Sequence, residues 1–355
     1  MTSPDAPIAV LSRSSERTLG YLTLRPAPEG AVARAGEYQR VAAAVEPALR
    51  AHLYDPALVD TPRVRAYLRS LQNAAGVAQD DVEFAFGAAA AAASNLPFSQ
   101  TILARPLEPG MQERLASERR RWDEARAARA KAVRDAARDP SAAAPSESSG
   151  ASASDAPALD DGVALVRLVT GDSPDEVDRQ LRQALASAPR ALIVDVRDIF
   201  LSGPSAARLA SWLHAEPLEL ALVTRGGTRQ AAVAAKGAGL PRVSWHQVTD
   251  AAALDARATQ DGALVLTSDP RALPAGATPF AGPVAVLVSR RSQSGLEPAL
   301  AALRPLASVT LVGEKTPGRA LVTRPVDVGD GWTLRVPVYE VLTPTGGAID
   351  RVGVE

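Results

Sequence analysis

Cysteine is missing from all 355 residues, which excludes a disulfide frame and any thiolate-ligated metal site. An excess of one charge is missing too. The 39 Lys and Arg balance 40 Asp and Glu, so no global field points to nucleic acid or to an anionic membrane. Long hydrophobic runs are absent. Ala88 to Ala93 is too short to span a bilayer, and Ile8 to Leu11 has no basic stretch before it. Neither a membrane span nor a secretory leader is therefore expected in this chain. His52, His214 and His246 share no metal-like spacing, so no metal and no other cofactor is expected.

What is present divides into three stretches. Residues 1–106 begin with a short apolar segment, Leu19 to Leu24, compatible with one strand. Tyr38, Val41, Val45 and Leu49 then recur at helical spacing, and Val64, Tyr67, Leu68 and Leu71 repeat it after Pro62. Phe84 to Ala93 predicts a third helix. Residues 107–159 are first dense in both charge signs, which predicts an exposed helix over 107–138. Interleaved Glu118, Asp123 and Glu124 argue against reading Arg119 to Arg121 as a nucleic-acid arm. Asp139 to Pro157 is rich in serine, alanine and proline and predicts a disordered linker. Residues 160–355 alternate apolar runs with amphipathic segments, an α/β pattern.

Within that last stretch, Pro283 to Val322 reads as an apolar run, a polar turn, a helix and a second apolar run, a strand–helix–strand crossover. Ser294 stands where strand gives way to helix. Unpaired N–H groups of a helix N-terminus favour developing negative charge there, although a capping serine would occupy the same place.

The stretch resembles the catalytic segment of the tail-specific (carboxy-terminal-processing) serine peptidases and their tricorn-core relatives. Ser292-Gln293-Ser294-Gly295-Leu296-Glu297 resembles their Ser-Ala-Ser-Ala-Ser-Glu-like turn, and Gly313-Glu314-Lys315-Thr316-Pro317-Gly318-Arg319 resembles their Gly-Glu-x-Thr-x-Gly-Lys-like turn. The resemblance implies a crotonase-like core with a small N-terminal helical module, Ser294 as nucleophile and a peptide or protein substrate. It also implies work in the periplasm or another extracytoplasmic space. The family base falls on Arg319, whose guanidinium cannot accept a proton near neutral pH. In the tricorn-like branch a serine–histidine pair supplies the base, and here that pair reads Ser99-Gln100. Ala191 to Arg197 resembles the strand that leads to a glycine turn of the oxyanion hole, which leaves Gly203 and Gly295 as expected N–H donors. Asp195 and Arg197 read as a structural pair. Lys315 is the candidate substitute base, and the resemblance makes Glu355 the counterpart of the tricorn-like acid that orients the family base.

Two functions follow. One is a serine peptidase acting through an acyl-enzyme on Ser294. The other is an inactive homologue that binds peptides or protein partners. An acyl-thioester enzyme on the same fold type is a weaker third reading, because fold alone does not give function.

Overall fold

A computed structural model describes residues 7–11, 18–23, 35–78, 80–105, 158–159, 162–226, 229–234, 238–260 and 262–355. The charged helix expected over 107–138 and the linker over 139–157 lie outside the described residues.

Strands β1 (Pro7–Leu11) and β2 (Thr18–Thr23) pair antiparallel. Helix α1 (Ala35–His52) leads through a 3-10 turn, Pro56–Asp60, to α2 (Pro62–Val77) and α3 (Asp81–Asn95). The starts are chemically marked. Asp55, Thr61 and Asp80 each accept a backbone N–H at their caps, and Pro62 occupies the first turn of α2, where a missing N–H costs nothing. The stripe Tyr38, Val41, Val45 and Leu49 is fully buried. Strand β3 (Ile102–Ala104) follows.

The second half starts with β4 (Ala158–Leu159), β5 (Val163–Arg167), α4 (Pro174–Leu185), β6 (Ala191–Asp195), β7 (Phe200–Leu201) and α5 (Gly203–Leu213). Next come β8 (Glu219–Thr224), α6 (Arg229–Ala234), β9 (Arg242–Ser244), α7 (Ala251–Asp255) and β10 (Leu264–Thr267). The chain continues with β11 (Val284–Val288), β12 (Gln293–Ser294), α8 (Leu296–Leu303), β13 (Val309–Gly313), β14 (Leu321–Asp327) and β15 (Thr333–Leu342).

The result is a mixed α/β fold with two main sheets. The first runs β13-β11-β6-β5-β4 and is parallel except at β4. The second runs β14-β15-β8-β10-β9, with β3 on β15. The expected strand–helix rhythm is present, but it does not stay in one sheet: β8 is antiparallel to both β10 and β15. The residues on either side of Pro337 form one long strand, β15. Its register shifts opposite Val322 and Thr323, and the ring of Pro337, which has no N–H to give a ladder, sits at that irregularity.

Two large cores result. Helices α5 and α8 lie in the first, with Val194, Val286, Ala206 and Leu300 fully buried. The second joins α1–α3 to the β14–β15 hairpin, and Trp332 packs edge-on against Phe84 at 5.0 Å while Phe84 stacks on Tyr38 at 4.8 Å. The helical module thus shares its core with a hairpin from the other end of the chain.

Candidate active site around Ser294

The loop from β11 to α8 is fastened before it reaches Ser294. Ser292 is fully buried and donates to the Val196 carbonyl at 2.8 Å, while accepting from the Ser289 N–H at 2.9 Å. The Ser289 hydroxyl donates to Asp198 at 3.0 Å. Asp195, at the end of β6, is buried and pairs with Arg197 at 2.9 Å and Arg167 at 3.3 Å. Burial opposes its charge, yet the two guanidinium groups hold its carboxyl below the usual range. The structural pair read from the sequence is present.

Ser294 has φ +71°, a left-handed conformation that a residue with a Cβ adopts only when its surroundings enforce it. Glu297 supplies part of that force. Its fully buried carboxylate accepts from Thr316 Oγ1 at 2.7 Å, Gly318 N at 2.7 Å and Arg319 N at 2.6 Å, and from the Ser294 backbone. Burial raises its pKa, and these donors pull it back. The turn is further closed by Thr316, which bonds Val354 through both N–H and hydroxyl. Gly318 has φ +71°, and a methyl group there would meet the Ile349 carbonyl at 2.7 Å, so only glycine fits.

On the other side, β12 lies parallel to β7. The Gln293 N–H donates to the Ile199 carbonyl and the Gly295 N–H to the Leu201 carbonyl, each at 3.1 Å. The Gly295 N–H, expected in an oxyanion hole, is occupied by this pairing. Gly203 is close by: a methyl on Gly295 would lie 2.5 Å from its nitrogen. Its own N–H falls in the first turn of α5, where no intrahelical acceptor exists. The indole of Trp245 covers Gly203, with Nε1 2.0 Å from where a Cβ would be.

The expected base positions converge. Arg319 Nη1 reaches Gln293 Oε1 at 3.4 Å, and the Arg319 carbonyl accepts from Gln100 Nε2. Gln100 has φ +61°. Ser99 donates to Asp350 from both its N–H, at 3.0 Å, and its hydroxyl. Burial pushes the Asp350 carboxyl up, while Ser99 draws it back. Lys315 points elsewhere and pairs with Glu355 at 3.1 Å on the surface. Among the described residues no side chain hydrogen-bonds the Ser294 hydroxyl. Sequence reasoning missed Asp350 and Trp245. The acid follows the Gly346-Gly347 turn and was findable there, whereas nothing local marks the tryptophan. No group of His, Asp and Glu among the described residues is arranged to hold a metal ion, and no described helix is long and apolar enough to cross a membrane.

Residues 224–355 match the model of peptidase family S41, the family to which the motifs around Ser294 point. None of the curated proteins matches the chain. Among solved structures, the photosystem II D1 C-terminal processing protease is 21% identical with a TM-score of 0.39, covering 54% of this chain and 41% of its own. The chain therefore spans less than half of that protein's length. A lipoprotein from Streptococcus agalactiae is 12% identical with a TM-score of 0.49, covering 95% and 93%. An S41 protease from Bacteroides fragilis is 20% identical with a TM-score of 0.37, covering 54% and 46%. At TM-scores below 0.5 these likenesses transfer no role to the chain.

Proposed function

We propose that the chain is an S41-type peptidase homologue that binds peptides or protein partners without forming an acyl-enzyme. In this reading 160–355 is a crotonase-type core, 1–106 its helical module and 107–159 the connection. One observation carries it. Among the described residues no titratable side chain hydrogen-bonds the Ser294 hydroxyl, and a serine needs such a group to lose its proton. Arg319 and Gln100 occupy the base positions, and neither accepts a proton near neutral pH. The Gly295 N–H, bonded to Leu201, supports the same view. An extended peptide has a place to lie, since β13, which runs straight into the 313–319 turn, is the edge strand of its sheet among the described residues.

A second reading, a serine peptidase cutting through Ser294 with Lys315 as base and Gly203 and Gly295 as donors, draws support from the enforced φ of Ser294. It requires Lys315 to leave Glu355 and the Gly295 N–H to leave Leu201. A fluorophosphonate probe separates the two. Intact mass is measured after reaction of the protein and of Ser294→Ala across a pH series. The binding reading expects no adduct on either, and an adduct on the protein that the variant lacks overturns it.

A further inference from the structure

The helical module keeps one face whose residues do not suit water. Helices α1 and α2 turn polar side chains outward, among them Arg40 and Arg50 on the first and Arg63, Arg69 and Gln72 on the second. Helix α3 does not. Beyond Glu83 it carries no charged residue, and it is apolar on both sides. Phe84, Ala88 and Ala92 are buried, while Val82, Phe86, Ala89 and Ala93 face outward. A helix that is apolar all round is ordinarily covered. The three most exposed large hydrophobic side chains described are Val77 at 78%, Phe86 at 77% and Val82 at 76%, all at the α2–α3 corner.

The described chain leaves the helical module beside this corner. Arg105, one residue past β3, pairs with Asp81, the first residue of α3, at 3.3 Å and with Glu37 at 3.0 Å. The five residues Pro106 to Gly110 span at most about 18 Å, and Pro109-Gly110 is a turn signal. Met111, where the regular part of the helix expected over 107–138 starts, is therefore tethered to the Asp81 end of α3. From Gly110 to Arg138 the large apolar residues are Met111, Leu115, Trp122 and Val133. At about 100° per residue they fall within one arc of about 40°. This stripe and the outer stripe of α3 share a spacing. Val82, Phe86, Ala89 and Ala93 run at steps of four, three and four, and so do Met111, Leu115, Glu118 and Trp122. Such steps make the seam along which paired helices pack knobs into holes.

We propose that 111–133 docks as a helix along the outer face of α3 and parallel to it, with Met111 beside Val82 and Trp122 beside Ala93. In this register large Trp122 meets a small neighbour, and Leu115 meets Phe86. The one polar place, Glu118, falls opposite Ala89, where a small side chain leaves the carboxylate a path to water. The interleaved charges of the segment occupy its other faces.

Because the chain has no cysteine, paired substitutions report on this contact directly. In the full chain, Ala89→Cys is combined with Glu118→Cys on the stripe, or with Arg120→Cys, about 160° round the helix. Both proteins are oxidised at high dilution, closure is followed by intact mass, and the linked peptides are mapped. We expect the 89–118 pair to close about tenfold faster than the 89–120 pair. Adding Phe86→Asp should remove the difference. In the otherwise unaltered chain, Phe86→Asp should also speed tryptic cleavage after Arg119 to Arg121 about tenfold. Gln72→Asp, on the exposed face of α2, should change neither rate. A thermal melt confirms that each variant is folded. Equal closure of the two pairs overturns the docking, because a loose tether would then explain both. Closure of neither pair overturns it, as does an equal effect of Gln72→Asp. Disulfides that form only between chains also overturn it, and show that a second copy covers the face.

Discussion

The two turns that flank Ser294 are held in different ways. The 313–319 turn closes on a buried carboxylate, Glu297, with three charge-assisted bonds of 2.6–2.7 Å from that turn. The 198–203 loop is held by main-chain pairing of β7 with β12 and by the packing of Trp245 on Gly203. The first turn carries Arg319 beside Gly318, and its main chain closes on the acid. In the second the shape itself consumes a donor that chemistry would need. A buried acid on one side and strand pairing on the other thus hold Ser294 in its left-handed conformation.

This contrast can be broken most directly at Glu297. Glu297→Ala strands several buried donors and should lower stability by about 3–5 kcal/mol in chemical denaturation. A loss under about 1 kcal/mol would mean that the turn holds itself. On the other side, Gly203→Ala drives a methyl into the Trp245 indole and should cost about 1–3 kcal/mol. No cost would show a loop loose enough to reshape.

A smaller effect comes from His246, next to Trp245. Burial first, then Arg208, lowers its pKa to about 4, with Asp269 opposing. The unfolded chain takes up a proton below about 6.5 that the folded one refuses. Stability should therefore be full above that pH and decline as pH falls toward 4. Denaturation midpoints across the range should show this slope, and His246→Gln should flatten it. The smallest effect is expected from Lys315→Ala. Its ion pair with Glu355 is exposed, and such pairs contribute little. An unchanged midpoint fits the surface role, whereas a loss of probe labelling in this variant would reinstate Lys315 as a base.

The sequence pattern alone foretold the helices of the N-terminal stretch and the alternation from β5 to β13, because these depend on local spacing and caps. It did not foretell which sheet each strand joins. Strand β8 has the same apolar run as β6, and only its partners, β10 and β15, place it in the second sheet. Strand β3 was invisible, since three residues carry no period. At the site, the spacing from Ser294 to Glu297 and on to Gly318 was legible, because a turn that tight admits few residues. The acid beside Ser99 was not. Asp350 and Glu355 are similar in sequence terms, and burial, which depends on distant packing, separates them.

The core shared by α1–α3 and the β14–β15 hairpin bears on how the chain folds during synthesis. Phe84 and Tyr38 leave the ribosome 248 and 294 residues ahead of Trp332, the ring that covers them. Until that hairpin emerges, the three helices carry an apolar face without its native cover, and closing the intervening chain costs entropy before those contacts can form. The helical module is thus translated first and completed late. The interval is one in which a chaperone would find exposed hydrophobic surface, and in which the chain is most exposed to aggregation.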